Sequence, residues 1–118
     1  MGASFKDLVV WQKAIQLSSE IYRLTASFPS SEQFGLTNQM RRAAISIASN
    51  IAEGNGRSTR GEYVLFLGHA RGSNCELQTQ LIIAKELGFS SGPTLESAQQ
   101  FAAEISRMLN TLMAKLRG

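Results

Sequence analysis

Arg42, Ser46 and Asn50 follow one another at four-residue intervals, with Ser49 and Glu53 alongside. On an α-helix that spacing gathers them into one ridge. A guanidinium, hydroxyls, an amide and a carboxylate on one surface can hold an anion, and with a second carboxylate they can move protons, since paired carboxylates with a raised pKa do acid–base work. The second carboxylate is Glu76, which stands near Ser73 and Asn74. Beyond Glu53 come Gly54 and Gly56, then at once Arg57 and Arg60. From Arg41 to Arg71 five arginines face only Glu53 and Glu62, a local net charge of +3, while the rest of the chain holds seven charges of each sign. Arginine grips phosphate bidentately, so Arg41, Arg57, Arg60 and Arg71 are the candidate contacts to a nucleic-acid backbone.

Each signal has a plainer reading. Gln39, Arg42, Ser46, Asn50, Glu53, Ser73, Asn74 and Glu76 also suit a polar network that fixes helix register or a subunit contact, as a buried asparagine does in coiled coils. Nothing marks a nucleophile, a phosphate loop or a metal shell, and His69 is the only histidine. A di-metal helix-bundle site would want Glu-x-x-His pairs, which the chain lacks. The network reading is therefore preferred to a catalytic cleft, and no enzyme activity, metal or cofactor is expected. The arginines have their own alternative, in pairs with Glu53, Glu62 or Glu76, and this is preferred for Arg42. Cys75 reads as a small helix-packing residue. Trp11, Tyr22 and Tyr63 read as packing residues, and His69 as exposed.

Four amphipathic stretches position these groups. The first helix is expected over residues 8–27. Val10, Ala14, Leu17, Ile21, Leu24 and Phe28 form one row, and Leu8, Trp11, Ile15, Ser18 and Tyr22 form a second beside it. Two adjacent rows make a wider apolar arc than one partner helix needs. Phe28-Pro29 ends the helix. A second helix over 31–54 has Ser30 or Ser31 as its cap, an irregular start at Phe34-Gly35 and an apolar stripe through Leu36, Met40, Ala43, Ala44, Ile47 and Ile51, with Gly54 as its stop and Gly56 just beyond. A third over 59–87 begins with Thr59 and Glu62 as a capping box. Its stripe is Tyr63, Leu67, Ala70, Asn74, Leu77, Leu81 and Ala84. Gly68 and Gly72, at about 1 kcal/mol each against alanine, predict a second backbone close by. A fourth over 93–117 opens on Pro93 and carries Leu95, Ala98, Ala102, Ile105, Leu109, Leu112 and Leu116, widened by Phe101 and Met108. Helices of this length with short connections alternate in direction, so the expected fold is all-α, an antiparallel up-down-up-down four-helix bundle in one domain spanning 1–118.

At 118 residues, 43% hydrophobic and 18% charged, the chain can bury a core without staples. One cysteine precludes an internal disulfide and fits a reducing cytoplasm. No apolar run approaches the roughly 20 residues of a membrane span. The start, MGASFKDLVVWQ, lacks the pattern of a signal peptide and departs from a myristoylation start.

Phe5-Lys6-Asp7-Leu8-Val9-Val10-Trp11-Gln12-Lys13-Ala14 resembles the opening of the 23S rRNA intervening-sequence protein family, also called four-helix bundle proteins. So do Gln39-Met40-Arg41-Arg42-Ala43-Ala44 with Ser46, Asn50-Ile51-Ala52-Glu53-Gly54 and Arg57, then Phe66-Leu67, Ala70-Arg71-Gly72-Ser73 and Glu76-Leu77. The likeness runs from about Phe5 to Phe89, and the last helix matches in type. The resemblance implies an antiparallel bundle assembling into a ring-shaped homo-oligomer, a pentamer. Some members are encoded within insertions in bacterial large-subunit ribosomal RNA genes. A similar accessory protein of diversity-generating retroelements uses a basic ring to work with a reverse transcriptase and nucleic acid. The expected function is thus a non-enzymatic oligomeric bundle associated with RNA or DNA through a basic surface. The alternative is a scaffold whose ring meets a protein partner such as a polymerase or a ribosomal component, with no membrane involved.

Overall fold

The computed structural model describes residues 4–118. Met1–Ala3, part of the stretch compared above with signal and lipidation patterns, lie outside them. Four helices account for most of these residues: α1 Val9–Thr25, α2 Leu36–Asn55, α3 Arg60–Glu86 and α4 Pro93–Arg117. Among the described residues there is no strand. Packing runs α1 on α2, α2 on α3, α3 on α4 and α4 on α1, the closed square of a helical bundle. α2 and α3 are antiparallel, since Ser46 meets Ser73 while the later Arg57 stacks on the earlier Phe66, and so are α3 and α4, since Asn74 reaches Ala102 while the earlier Arg71 reaches the later Asn110.

The stripe positions fill the centre because their spacing keeps them on one side of each helix. All six residues of the first row of α1, from Val10 to Phe28, are buried. Leu17, Ile21, Ile47, Ile51, Leu67, Leu77, Leu81, Ile105 and Leu109 have no exposure at all, each contributing about 1.5–3 kcal/mol of burial. The second row of α1 is covered only in part: Leu8, Trp11 and Ser18 are half-buried, while Ile15 is 41% exposed and Tyr22 43%. On α4 the stripe ends on Met113, which is buried, while Leu112 and Leu116 are half-buried.

The helix ends depart from expectation in instructive ways. A capping box between Ser4 and Asp7 closes a 3-10 turn at Phe5–Asp7, and α1 follows. It stops at Thr25, whose hydroxyl turns back to donate to the Ile21 carbonyl (2.7 Å). Neither Ser30 nor Ser31 caps α2. They sit in a separate 3-10 turn, Ser30–Glu32, and α2 begins only at Leu36 with Gly35 as its N-cap. Glu32 does the capping from outside, its Oε1 accepting the Leu36 N–H at 3.1 Å. The same carboxylate oxygen lies 3.0 Å from where a Cβ of Gly35 would stand. The corner so clasped carries Phe34 outward, 88% exposed.

Gly54 does not stop α2. The helix runs on to Asn55 and is capped at Gly56. Gly54 is instead buried where α2 and α3 converge, a Cβ there meeting the Phe66 Cβ at 2.9 Å and the Tyr63 carbonyl oxygen at 3.2 Å. The glycine is a point of close approach. Gly68 and Gly72 are not: the nearest atom to a Gly68 Cβ is the Met113 Cε at 3.9 Å, and Gly72 has nothing within 4 Å. The second backbone expected beside them is therefore absent among the described residues. Thr59 caps α3 by accepting the Glu62 N–H (3.1 Å), but the Glu62 carboxylate accepts from the Thr59 hydroxyl rather than its backbone, so the box is half made. Gly88, at φ 74°, ends the turn after α3 in the left-handed region that favours glycine.

Candidate functional site

The α2 ridge and the neighbouring face of α3 enclose a cleft of about 510 Å³ lined by Phe34, Asn38, Gln39, Arg42, Ala43, Ser46, Ser73 and Glu76. Its floor is a hydroxyl pair, Ser46 Oγ to Ser73 Oγ at 2.9 Å, and Asn50 Nδ2 donates to the Ser46 hydroxyl (3.0 Å) and carbonyl (2.9 Å). Asn38, Arg42 and Ser46 follow at i, i+4 along one wall, and Ser73 and Glu76 at i, i+3 along the other. Arg42 and Glu76 thus both lie about one helical turn from the floor. Among the described residues neither has an ion-pair partner. This arrangement can hold a small polar molecule with both anionic and donor groups.

The expected network is divided in three. Gln39, Arg42, Ser46, Ser73 and Glu76 meet at the cleft, with Asn50 behind the serine pair. Asn74 points the other way, fully buried between α3 and α4, its Nδ2 donating to the Ala102 carbonyl at 2.8 Å. Its Oδ1 is buried without a partner among the described residues. Glu53 pairs with Arg57 (2.9 Å) away from Glu76, so the two carboxylates share no cleft.

The five arginines lie on different sides of the bundle. Arg41 Nε donates to the Thr25 hydroxyl (2.9 Å) and its guanidinium covers the Tyr22 ring at 4.4 Å, tying α2 to α1. Arg71 donates to Asn110 Oδ1 (3.0 Å), tying α3 to α4. Arg57 and Arg60 share the exposed bend between α2 and α3. Arg57 lies over Phe66 (4.6 Å) while bonded to Glu53, and Arg60 has no ion-pair partner among the described residues. Among the described residues Arg42 makes none of the pairs expected for it with Glu53, Glu62 or Glu76, and Glu53 is taken by Arg57. With side chains 40% and 53% exposed, that pair is worth at most about 1 kcal/mol, and a phosphate can compete for the guanidinium.

Tyr63 accepts a bond from Asn55 (3.2 Å) at the same end, a packing role with a polar tip. Trp11 is half-buried with Phe5 edge-on (5.2 Å), and Tyr22 serves as the platform under Arg41. His69 is exposed, and so is Cys75, against the packing role expected for it. Beyond the irregular start expected at Phe34-Gly35, the sequence assigns Phe34 no role. Its one signal was an aromatic beside a glycine with no place in either flanking stripe. A shallow apolar groove of about 300 Å³ between α1 and α2, lined by Trp11, Ile15, Ser18, Ile45, Ala48, Ser49 and Ala52, was likewise legible only as the surplus width of α1. Among the described residues no three of His, Cys, Asp and Glu come together as a metal site. No helix among the described residues is long and apolar enough to cross a membrane.

No curated protein is similar to the chain at a significant level. Among solved structures, the 1.70 Å crystal structure of a protein with unknown function from the S23 ribosomal protein family of Bacteroides thetaiotaomicron superposes with a TM-score of 0.80 at 21% identity, covering 89% of this chain and 98% of that one. This likeness confirms the fold. The family model described as 23S rRNA-intervening sequence protein matches residues 6–111, reaching past the stretch of motif resemblance into α4, and by that match the chain belongs to the 23S rRNA-intervening sequence protein family.

Proposed function

We propose that this protein is a non-catalytic, self-assembling module of the cytoplasm that holds RNA by its phosphates, several copies presenting the α2–α3 bend around a common axis. The observation that carries the reading is the bend itself: Arg57 and Arg60 are exposed within a few residues of each other, opposed only by a weak surface contact to Glu53. One copy offers too little charge for firm binding, and Arg41 and Arg71 are committed to opposite faces. A ring of five copies would set ten guanidinium groups from Arg57 and Arg60 about one axis, enough for strongly salt-dependent association with RNA or DNA. Ile15, Tyr22 and Ile45 leave apolar area on the α1–α2 side that assembly would cover.

The test is fluorescence anisotropy with a structured RNA across a salt series, wild type against Arg57→Glu/Arg60→Glu. Wild-type affinity is expected to fall steeply with salt and the variant to bind at least about 10-fold more weakly at low salt. Equal affinities at low salt refute the RNA reading. Light scattering that finds only monomer at micromolar concentration refutes the assembly.

A scaffold for a protein partner is the second reading, favoured by Phe34, Leu65, Ile82 and Leu87, each more than half exposed. It predicts co-purification with a protein that survives nuclease treatment.

A further inference from the structure

Arg42 and Glu76 line one cleft without pairing. The serine contact of 2.9 Å draws the floor together while the two charged walls stay apart. Because α2 and α3 are antiparallel, both charges lie on the same side of that floor, toward Phe34. Asn38 and Gln39 add amides between the aromatic rim and the guanidinium. A cleft of about 510 Å³ is of the size that takes a small ligand. The chemistry it offers is a bare π-face, an edge of carboxylate and amides, and a free guanidinium. A nucleotide needs those three things, for its ring, its base edge and its phosphate.

We infer that the α2–α3 cleft binds a guanine nucleotide. Phe34 stacks on the base, Glu76 accepts from the base edge and Arg42 holds the phosphate. Guanine is selected because its pairing edge carries two parallel donors, the ring N–H and the amino group, which match the two oxygens of one carboxylate. Adenine and cytosine set one amino group beside an acceptor, and the ring N–H of uracil lies between two carbonyls that a carboxylate repels. An unstacked guanosine of single-stranded RNA and a free guanine nucleotide present the same chemistry. The inference adds base recognition to the RNA reading and rests on that reading only for the source of the ligand.

Calorimetric titration of the full chain with GMP, AMP, CMP, UMP and guanosine tests it. GMP is expected to bind saturably and about 10-fold tighter than the other nucleotides. Glu76→Gln should abolish that preference. Arg42→Ala should weaken GMP about 10-fold and leave guanosine unchanged. Phe34→Ala should weaken all of the nucleotides together. All three side chains are exposed, so the variants are expected to melt within a few degrees of wild type, and this is checked by circular dichroism. A guanosine-containing single strand that binds tighter than GMP identifies RNA as the source, and equal binding identifies the free nucleotide. Equal affinity for every nucleotide, no saturable binding, or GMP binding unaltered in Glu76→Gln and Arg42→Ala overturns the inference. Arg57→Glu/Arg60→Glu separates the two readings: it should weaken structured-RNA binding at least about 10-fold and leave GMP binding intact.

Discussion

The two seams of α3 are built on opposite plans. Against α2 the backbone closes hard at Gly54, under Phe66 and Tyr63, and toward the other end the same pair of helices opens into the cleft. Against α4 the gap beside Gly68 is filled only loosely, by Met113, and Asn74 is sealed inside with its amide on the Ala102 carbonyl. Polar groups therefore mean different things on the two sides. The sealed asparagine has one arrangement in which its donor is satisfied, so it fixes the register of α3 on α4. The half-buried serines bond to each other and to Asn50, and among the described residues Arg42 and Glu76 beside them have no ion-pair partner. Polarity enclosed by apolar neighbours specifies the fold, and polarity left beside an opening is available for a ligand.

Substitutions can break this contrast. The largest expected effect is from Gly54→Ala, which puts a methyl 2.9 Å from the Phe66 Cβ beside a rigid carbonyl and should cost about 3 kcal/mol in urea unfolding. A neutral result would mean that the α2–α3 seam is not held closed there. Asn74→Ala should cost about 2 kcal/mol through the lost bond and the small void, measured in the same way. If it costs nothing, the sealed amide is not a register device. Gly72→Ala should raise stability by about 1 kcal/mol, because a Cβ there meets open space and alanine favours the helix. Should light scattering instead show the variant dissociating the assembly proposed above, the bare face of α3 is a subunit contact. The smallest change is expected from Ser46→Ala/Ser73→Ala, under about 1 kcal/mol, since both partners of one bond leave together.

Much of this was legible from spacing alone. The first row of α1 and the stripe of α3 came out buried almost residue for residue, because a period near 3.6 leaves little freedom about which face turns inward. Glycine was harder to read. Gly54 follows Glu53 at the end of an apolar stripe and has the look of a stop, yet a helix can run through a glycine where a neighbour presses close. Gly68 and Gly72 have the spacing of a packing face and touch nothing comparable. Ser73 and Asn74 are adjacent in sequence and suggest one network, but about 100° of helix rotation sends one to α2 and the other to α4. α2 starts later than its serines suggest, because the capping group comes from Glu32, outside the helix, and not from a serine at its threshold.

The clasp that Glu32 places on Gly35 and Leu36 also bears on whatever meets Phe34. A large ring on a loose loop would surrender much motion on being covered. This one projects from a corner already fastened by a carboxylate, so a base or protein surface that covers it gains most of the burial of the ring with little ordering cost.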